Sequence, residues 1–216
     1  GGGARGGAGP GRMIVAQLRA GCDIRLGFPH HGAEPPADQL RAVADYMDRE
    51  GFAPEMYLGG PMVAALEAKI AALLGKPAAM WSPTGTLAQG IAARLHDDAT
   101  GRGMIQLHPT SHLELHEERG YHFAHGLEAK LIGEWSAPLT AADLQPASAC
   151  AFIELPQRHN GGALPGWDAL EAIKARGRAL DLPLHPDGSR LWATRPFYDG
   201  RSYVVTCAGV ASVYVS

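Results

Sequence analysis

Cysteine is scarce in this chain. Three residues in 216, Cys22, Cys150 and Cys207, are odd in number and widely separated. With no CxxC pair, they offer neither a disulfide framework nor a zinc knuckle. They are expected as reduced thiols of a cytoplasmic protein. Long hydrophobic runs are missing too: nothing approaches the ~20 apolar residues that cross a bilayer. "MIVA" near the start is far too short for a signal-peptide core, so neither a membrane partner nor export is expected. Charge of one sign is also lacking. Lysine and arginine number 19 against 22 acidic residues, a net charge of −3. That balance leaves no electrostatic footprint for nucleic acid or an anionic membrane, and a small molecule is the expected partner.

The first 12 residues, "GGGARGGAGPGR", contain no apolar side chain larger than alanine. Such a segment cannot offset its own ordering entropy and is expected to be a disordered, Gly-rich tail, with the folded protein starting at Met13. An RGG-type RNA-binding tail would need more arginines and aromatic neighbours. Beyond it, Leu40, Val43 and Met47 share a helical face after "EPPAD" and stop before Gly51. Val63, Leu66, Ile70 and Leu73 do the same between Pro61 and Gly75. Short apolar runs follow at "AAMW", "MIQL", "KLIG", "ACAFIEL", "LPLH" and "SVYVS", most of them separated by helical or loop segments, of which "WDALEAIKARGRAL" is the clearest helix. Strand alternating with helix predicts an α/β fold, a mostly parallel sheet in three layers with helices on both faces. The chain is long enough to bury a real core.

Three stretches carry chemistry. "WSPTGTLAQG" reads as a strand end, a turn at Pro83 and a helix opening with Thr84, Gly85 and Thr86. Free backbone N–H groups, the helix dipole and two hydroxyls meet there, which suits a phosphate; a plain threonine N-cap with a turn glycine is the competing reading. No lysine follows Gly90 and the glycine spacing is wrong, so it is neither a Walker loop nor a dinucleotide fingerprint. "HPTSHLELHEERGYHFAH" holds five of the ten histidines. If helical from Ser111, it sets His112 and His116 at i and i+4, a zinc-binding spacing, but Glu114 falls two residues after His112 rather than directly after it. A ring stacked on a flat cofactor, or a solvated histidine-rich helix, are the other readings. Finally, "HPDGSRLW" puts Asp187 and Arg190 three residues apart just after "LPL", where open α/β sheets place ligand-binding residues; an ion pair between Arg190 and Asp187 is the competing reading. A phosphate cradle, an aromatic ring and a strand-end carboxylate together are the parts that hold pyridoxal phosphate.

From about Arg25 to Ser216 the sequence resembles the threonine aldolase and β-eliminating lyase family of fold-type I pyridoxal-phosphate enzymes. The matching stretches are "YLGGPMVAALEAKIAALLGKPAA", "SPTGTLAQ", "HPTSHLELHEERGY", "FIELPQRHNGG", "HPDGSRLW" and "PFYDGRSY", in that order. The resemblance implies an aspartate-aminotransferase-like large domain over 59–216, preceded by an N-terminal segment with a helix over 13–58. It implies that Thr84, Gly85 and Thr86 bind the cofactor phosphate, that His112 stacks on the pyridine ring, and that Asp187 pairs with its nitrogen. Arg190 would reach the substrate carboxylate or the ring hydroxyl, with Arg158 and His116 at the rim, and Tyr57 would contribute across the subunit interface of a homo-oligomer, dimer or tetramer. The implied reaction is retro-aldol cleavage of a β-hydroxy-α-amino acid to glycine and an aldehyde, with His112 or a water near it as the base.

The departures set further expectations. The family's Schiff-base lysine lies just beyond the strand "SVYVS", and Lys69, Lys76, Lys130 and Lys174 lie away from that motif. The chain is therefore expected to be a partial member, with an incomplete large domain, no small C-terminal domain and no activity as a fragment. Pro186 precedes the aspartate and removes a ladder donor. "YVVTCAGVA" replaces a helix-forming stretch with β-branched residues and glycine. Two other classes stay open: a metal-dependent hydrolase built on His112 and His116, and a non-catalytic fragment acting only as an interaction surface.

Overall fold

The computed structural model describes residues 35–53 and 59–216, with Ile14, Leu18 and Gly21 besides. The expectations for the tail 1–12, Met13, Cys22 and Tyr57 lie outside these residues. The chain divides into two compact units, Gly1–Pro54 and Glu55–Ser216. In the first, helix α1 (Pro36–Glu50) opens on a proline and closes on Gly51, whose φ of 69° is left-handed and whose N–H returns to the Met47 carbonyl. None of its described residues is buried, so the apolar face of Leu40 and Val43 is open in this unit.

In the second unit, α2 (Pro61–Leu74) runs as its proline and Gly75 predict, but the buried stripe differs from the expected one. Ala71 and Leu74 are buried and Ile70 packs on the core, whereas Leu66 and Leu73 stay exposed. "AAMW", expected as a strand, forms none. A strand needs a ladder partner, and none of the described residues pairs with this stretch; Met80 and Trp81 are exposed, and the Trp81 N–H is taken by Glu67 Oε1 at 2.8 Å.

The remaining elements alternate as the sequence predicts. Helix α3 (Gly85–Thr100) leads to β1 (Met104–Leu107), then the one-turn helices α4 (His112–Leu115) and α5 (Gly120–Phe123), and β2 (Glu128–Leu131). Strand β3 (Cys150–Glu154), α6 (Trp167–Ala179), β4 (Leu184–Gly188), α7 (Tyr203–Thr206) and β5 (Tyr214–Val215) follow. All strand pairs are parallel, in the order β2-β1-β3-β4-β5.

Alternation along β3 shows why both faces are covered. Cys150 and Phe152 point into one apolar cluster with Ile105, Leu107, Leu113 and Tyr121; Ala151 and Ile153 point into the other with Leu170, Ile173 and Leu184. A central strand that is apolar on both sides must be sandwiched, and the helices supply the cover. Pro186 is accommodated within β4. Residues 183 and 187 turn their carbonyls to β3, so the missing donor at 186 faces β5, which pairs with β4 only from Asp187 onward. The β-branched "YVVT" forms a single helical turn capped by Ser202. Cys150 and Cys207 are free and buried, and burial pushes both thiols up. No helix among the described residues is long and apolar enough to cross a membrane.

Candidate active site

The carboxyl ends of β3 and β4 bring two acids side by side. Glu154 and Asp187 are register partners on adjacent strands, so their side chains leave the sheet on the same face. Asp187 is 6% exposed, and its Oδ1 accepts from the Ser189 N–H at 3.1 Å and the Ser189 hydroxyl at 2.6 Å. Glu154 Oε1 accepts the N–H of His112 at 2.7 Å, which ties the start of α4 to the sheet. Its Oε2 is buried without a hydrogen-bond partner. Burial, reinforced by the charge of Asp187, holds the Glu154 carboxyl above the usual carboxylate range, against the opposing pull of the backbone N–H groups of His112 and Arg158.

His112 stands over this pair. Its Nδ1 lies 2.9 Å from Glu117 Oε1, a carboxylate whose side chain is itself almost buried. That contact makes Nδ1 the donor and leaves Nε2 as the acceptor in the neutral ring. His112, Glu154, Arg158, His159, Asp187 and Arg190 line one narrow cleft, with Pro156 and Ser189. His112 and Asp187, 75 positions apart in sequence, therefore meet at one strand-end crevice, where open α/β sheets place ligands.

The turn before α3 adjoins this cleft through Tyr214. Thr84 is the helix N-cap, its Oγ1 accepting from the Leu87 N–H at 3.2 Å, as the capping alternative required. Gly85 leaves no room for a side chain: a Cβ there would run into the Tyr214 hydroxyl. Tyr214 in turn pairs with Asp187 across β4 and β5. The Thr84 and Gly85 end of the helix lines a separate, broad apolar groove that also takes in Trp81, Tyr214 and Ser216. So the structure gathers His112, Asp187, Arg190 and Arg158 into one cleft and sets Thr84 and Gly85 behind the Tyr214 ring; Thr86 is exposed on the first turn.

His116 does not line the cleft. It sits at the rim, its ring 5.1 Å from that of His112 and stacked at 5.0 Å and 11° on His159, with the two Nε2 atoms 2.7 Å apart. The two helical histidines thus share a face, as the i and i+4 spacing predicts, but on a single helical turn. The metal-hydrolase reading needs a third ligand with them. Among the described residues, no group of three or more histidine, cysteine or acidic side chains is arranged to hold a metal ion. Arg190 is not the ion-pair partner of Asp187: the donors on that carboxylate come from Ser189. None of the four lysines lines the cleft; Lys76 Nζ is spent on the carbonyls of Cys207 and Val210, and Lys174 Nζ on Glu171.

Sequence reasoning missed four participants: Glu154, Ser189, His159 and Tyr214. The signal for Glu154 was present, since it ends the buried run "ACAFIE" as Asp187 ends "LPLHP". His159 and Tyr214 carry no local signal, because only the folded chain brings them to the site.

The beta-eliminating lyase family model matches residues 39–206. A probable low-specificity L-threonine aldolase of Arabidopsis thaliana is 27% identical over 145 residues, covering 61% of this chain and 41% of that protein. Two solved structures align over 86% of this chain and 52% of theirs: a putative L-allo-threonine aldolase of Listeria monocytogenes, 35% identical with a TM-score of 0.77, and a putative aromatic amino acid beta-eliminating lyase/threonine aldolase of Exiguobacterium, 33% identical with a TM-score of 0.79. The chain spans about half the length of these structures. With β1 to β4, the strand-end acids and the histidine turn all falling within the matched stretch, the chain belongs to the beta-eliminating lyase family.

Proposed function

We propose that the chain forms the cofactor cleft of a pyridoxal-phosphate-dependent lyase that cleaves β-hydroxy-α-amino acids to glycine and an aldehyde. The observation that carries this reading is the meeting of His112, Asp187 and Arg190 in one cleft at the strand ends. The donor set suits the cofactor. Asp187 is a buried acid whose Oδ1 is held by Ser189, leaving Oδ2 to accept from a protonated ring nitrogen. The unpartnered Glu154 Oε2 next to it asks for a polar ligand atom. Thr84, Gly85 and Thr86 open a 16-residue helix whose N–H groups suit a phosphate.

Within this reading each side chain has a task, and His112 has two. Asp187 holds the ring nitrogen, and the flat imidazole of His112 covers the ring. Arg190 binds the substrate carboxylate, with Arg158 beside it, which fixes the amino acid before reaction. His112 Nε2, left free to accept by the Glu117 contact at Nδ1, or a water held by it, takes the proton from the substrate hydroxyl as the Cα–Cβ bond breaks. His159 lines the cleft and His116 stands at its rim beside His112. Pyridoxal phosphate, when bound, supplies the electron sink for the pair released from that bond.

The oligomer and the compartment belong to the same proposal: a homo-oligomer, dimer or tetramer, in the cytoplasm. The free thiols of Cys150 and Cys207 support the reducing compartment. The test is product identity. None of the four lysines lines the cleft, so the chain alone is expected to leave L-threonine and L-allo-threonine uncleaved; any turnover that this cleft supports with pyridoxal phosphate should give glycine and acetaldehyde in equal amounts and be lost on His112→Ala. Formation of a keto acid and ammonia instead would refute the aldolase assignment and leave a β-eliminating activity.

A further inference from the structure

We propose that Glu154 is a positioning residue that works in its neutral form: Oε1 holds the backbone of His112, and Oε2, carrying a proton, donates to the ligand lying against Asp187. The inference rests on the pyridoxal-phosphate reading of the cleft. Its basis is the division of donors between two neighbouring acids. Asp187 receives two hydrogen bonds on one oxygen, both from Ser189. Glu154 receives one close bond, on Oε1 from His112, with the Arg158 N–H also acting on the carboxyl, and its Oε2 is buried with no partner at hydrogen-bond distance.

Two carboxylates side by side in a water-poor site do not both ionise readily, and the proton settles on the acid with fewer donors. Here that acid is Glu154. An ionised and unpartnered Oε2 would be a costly buried group, whereas a protonated Oε2 is a hydrogen-bond donor waiting for an acceptor. The groups facing Glu154 from each side are Asp187 on β4, His112 on α4, and Arg158, His159 and Arg190 around the cleft. Burial and the Asp187 charge both favour the neutral acid, and they outweigh the N–H groups of His112 and Arg158.

This arrangement also explains how two acids can sit beside one cationic ring nitrogen. Asp187 keeps the charge and accepts from that nitrogen, while the Glu154 proton is left for an acceptor atom of the ligand beside it, with no second negative charge added. Glutamine reproduces that neutral form, with a carbonyl for the His112 N–H and an amide for the donor; alanine reproduces neither.

Carbon-13 NMR of the whole chain, labelled at the glutamate carboxyl and assigned by the signal lost in Glu154→Gln, reads the proton directly in the ligand-free protein. The Glu154 carboxyl should titrate at higher pH than the exposed glutamates, and Asp187→Asn should lower its midpoint. Titration together with the exposed glutamates overturns the proposal. A second arm uses pyridoxamine 5'-phosphate, which needs no covalent link, with binding followed by tryptophan fluorescence across pH. Glu154→Gln should bind within about twofold of the wild type, and Glu154→Ala about tenfold more weakly. Glu154→Gln losing as much as Glu154→Ala overturns the neutral-donor role. Wild-type protein that binds none of the probe overturns the cofactor reading instead, and the NMR arm then still decides where the proton sits.

Discussion

Lowering the pH from 7 to 5 acts on a buried histidine two residues upstream of Asp187. His185 lies on β4, 2% exposed, with Nδ1 2.7 Å from Ser212 Oγ and Nε2 3.2 Å from Gln89 Oε1. The Gln89 carbonyl oxygen makes Nε2 the protonated nitrogen, so Nδ1 accepts from Ser212. Ser212 Oγ also lies 2.7 Å from His96 Nε2, which completes a directed chain from His96 through Ser212 and His185 to Gln89. A second proton on His185 would meet an oxygen that already uses its own hydrogen in this chain. Burial, with a smaller contribution from His96, pulls the His185 pKa down to about 3. The unfolded value is about 6.5. Because the folded value is the lower one, the unfolded chain binds more protons between these limits. The stability from neutral His185 is therefore full above about pH 6.5 and is lost as pH falls toward 3. Between pH 7 and pH 5 the loss from this one side chain is about 2 kcal/mol, with about 1.4 kcal/mol more for each further unit down to the folded value. His96 and His108 are also pulled down by burial and add to the acid sensitivity, so the comparison with a variant isolates His185. Urea unfolding at pH 5 and 7, on the wild type and on His185→Gln, measures it. The variant should lose about 2 kcal/mol less than the wild type over that interval. Parallel profiles would refute the reasoning, whatever the variant's stability at pH 7.

Other perturbations address the site directly. Asp187→Asn keeps an oxygen for Ser189 but removes the charge and replaces the Oδ2 acceptor with an NH2 donor, so pyridoxamine 5'-phosphate should bind about 10- to 100-fold more weakly by fluorescence titration. Unchanged affinity would detach Asp187 from the ring nitrogen. Thr84→Ala removes the acceptor for the Leu87 N–H and should lower stability by about 1 kcal/mol in urea unfolding, with no change expected only if the cap does not form. Gly85→Ala drives a Cβ into the Tyr214 hydroxyl, at a cost of about 1–3 kcal/mol, and Tyr214→Phe should recover part of it. Additive effects in that double-mutant cycle would mean the two residues do not touch.

The alternation of strand and helix was legible because each element carries its own period and punctuation. Pro61 and Gly75 bound α2, and "ACAFIE" is apolar at every position before its acid, as a strand covered on both faces must be. The order of the motifs made His112, Asp187 and Arg190 readable as one site. What was illegible depends on neighbours. "AAMW" has the composition of a strand but finds no edge to pair with, and composition carries no information about partners. The buried stripe of α2 lies one position away from the most apolar one, because Leu74 packs into a cluster with Cys207 and Val210, residues distant in sequence that no local pattern announces. Glu154 becomes a participant only through the register of β3 against β4, and His159 only through the turn that stacks it on His116. Tyr214 reaches Gly85 across 129 positions of sequence, a distance over which no local pattern speaks.

The central claim is that the cleft at the ends of β3 and β4, together with the adjoining turn at Thr84 to Thr86, holds the cofactor. Backbone amide chemical shifts, followed as pyridoxamine 5'-phosphate is titrated into the chain, test it most directly. Saturating changes at Thr84 to Thr86, His112, Arg158 and Asp187 to Arg190, all with one midpoint and all lost in Asp187→Ala, are the predicted result. Saturating changes elsewhere on the protein with His112 and Asp187 undisturbed, or no saturable change at all, would contradict it.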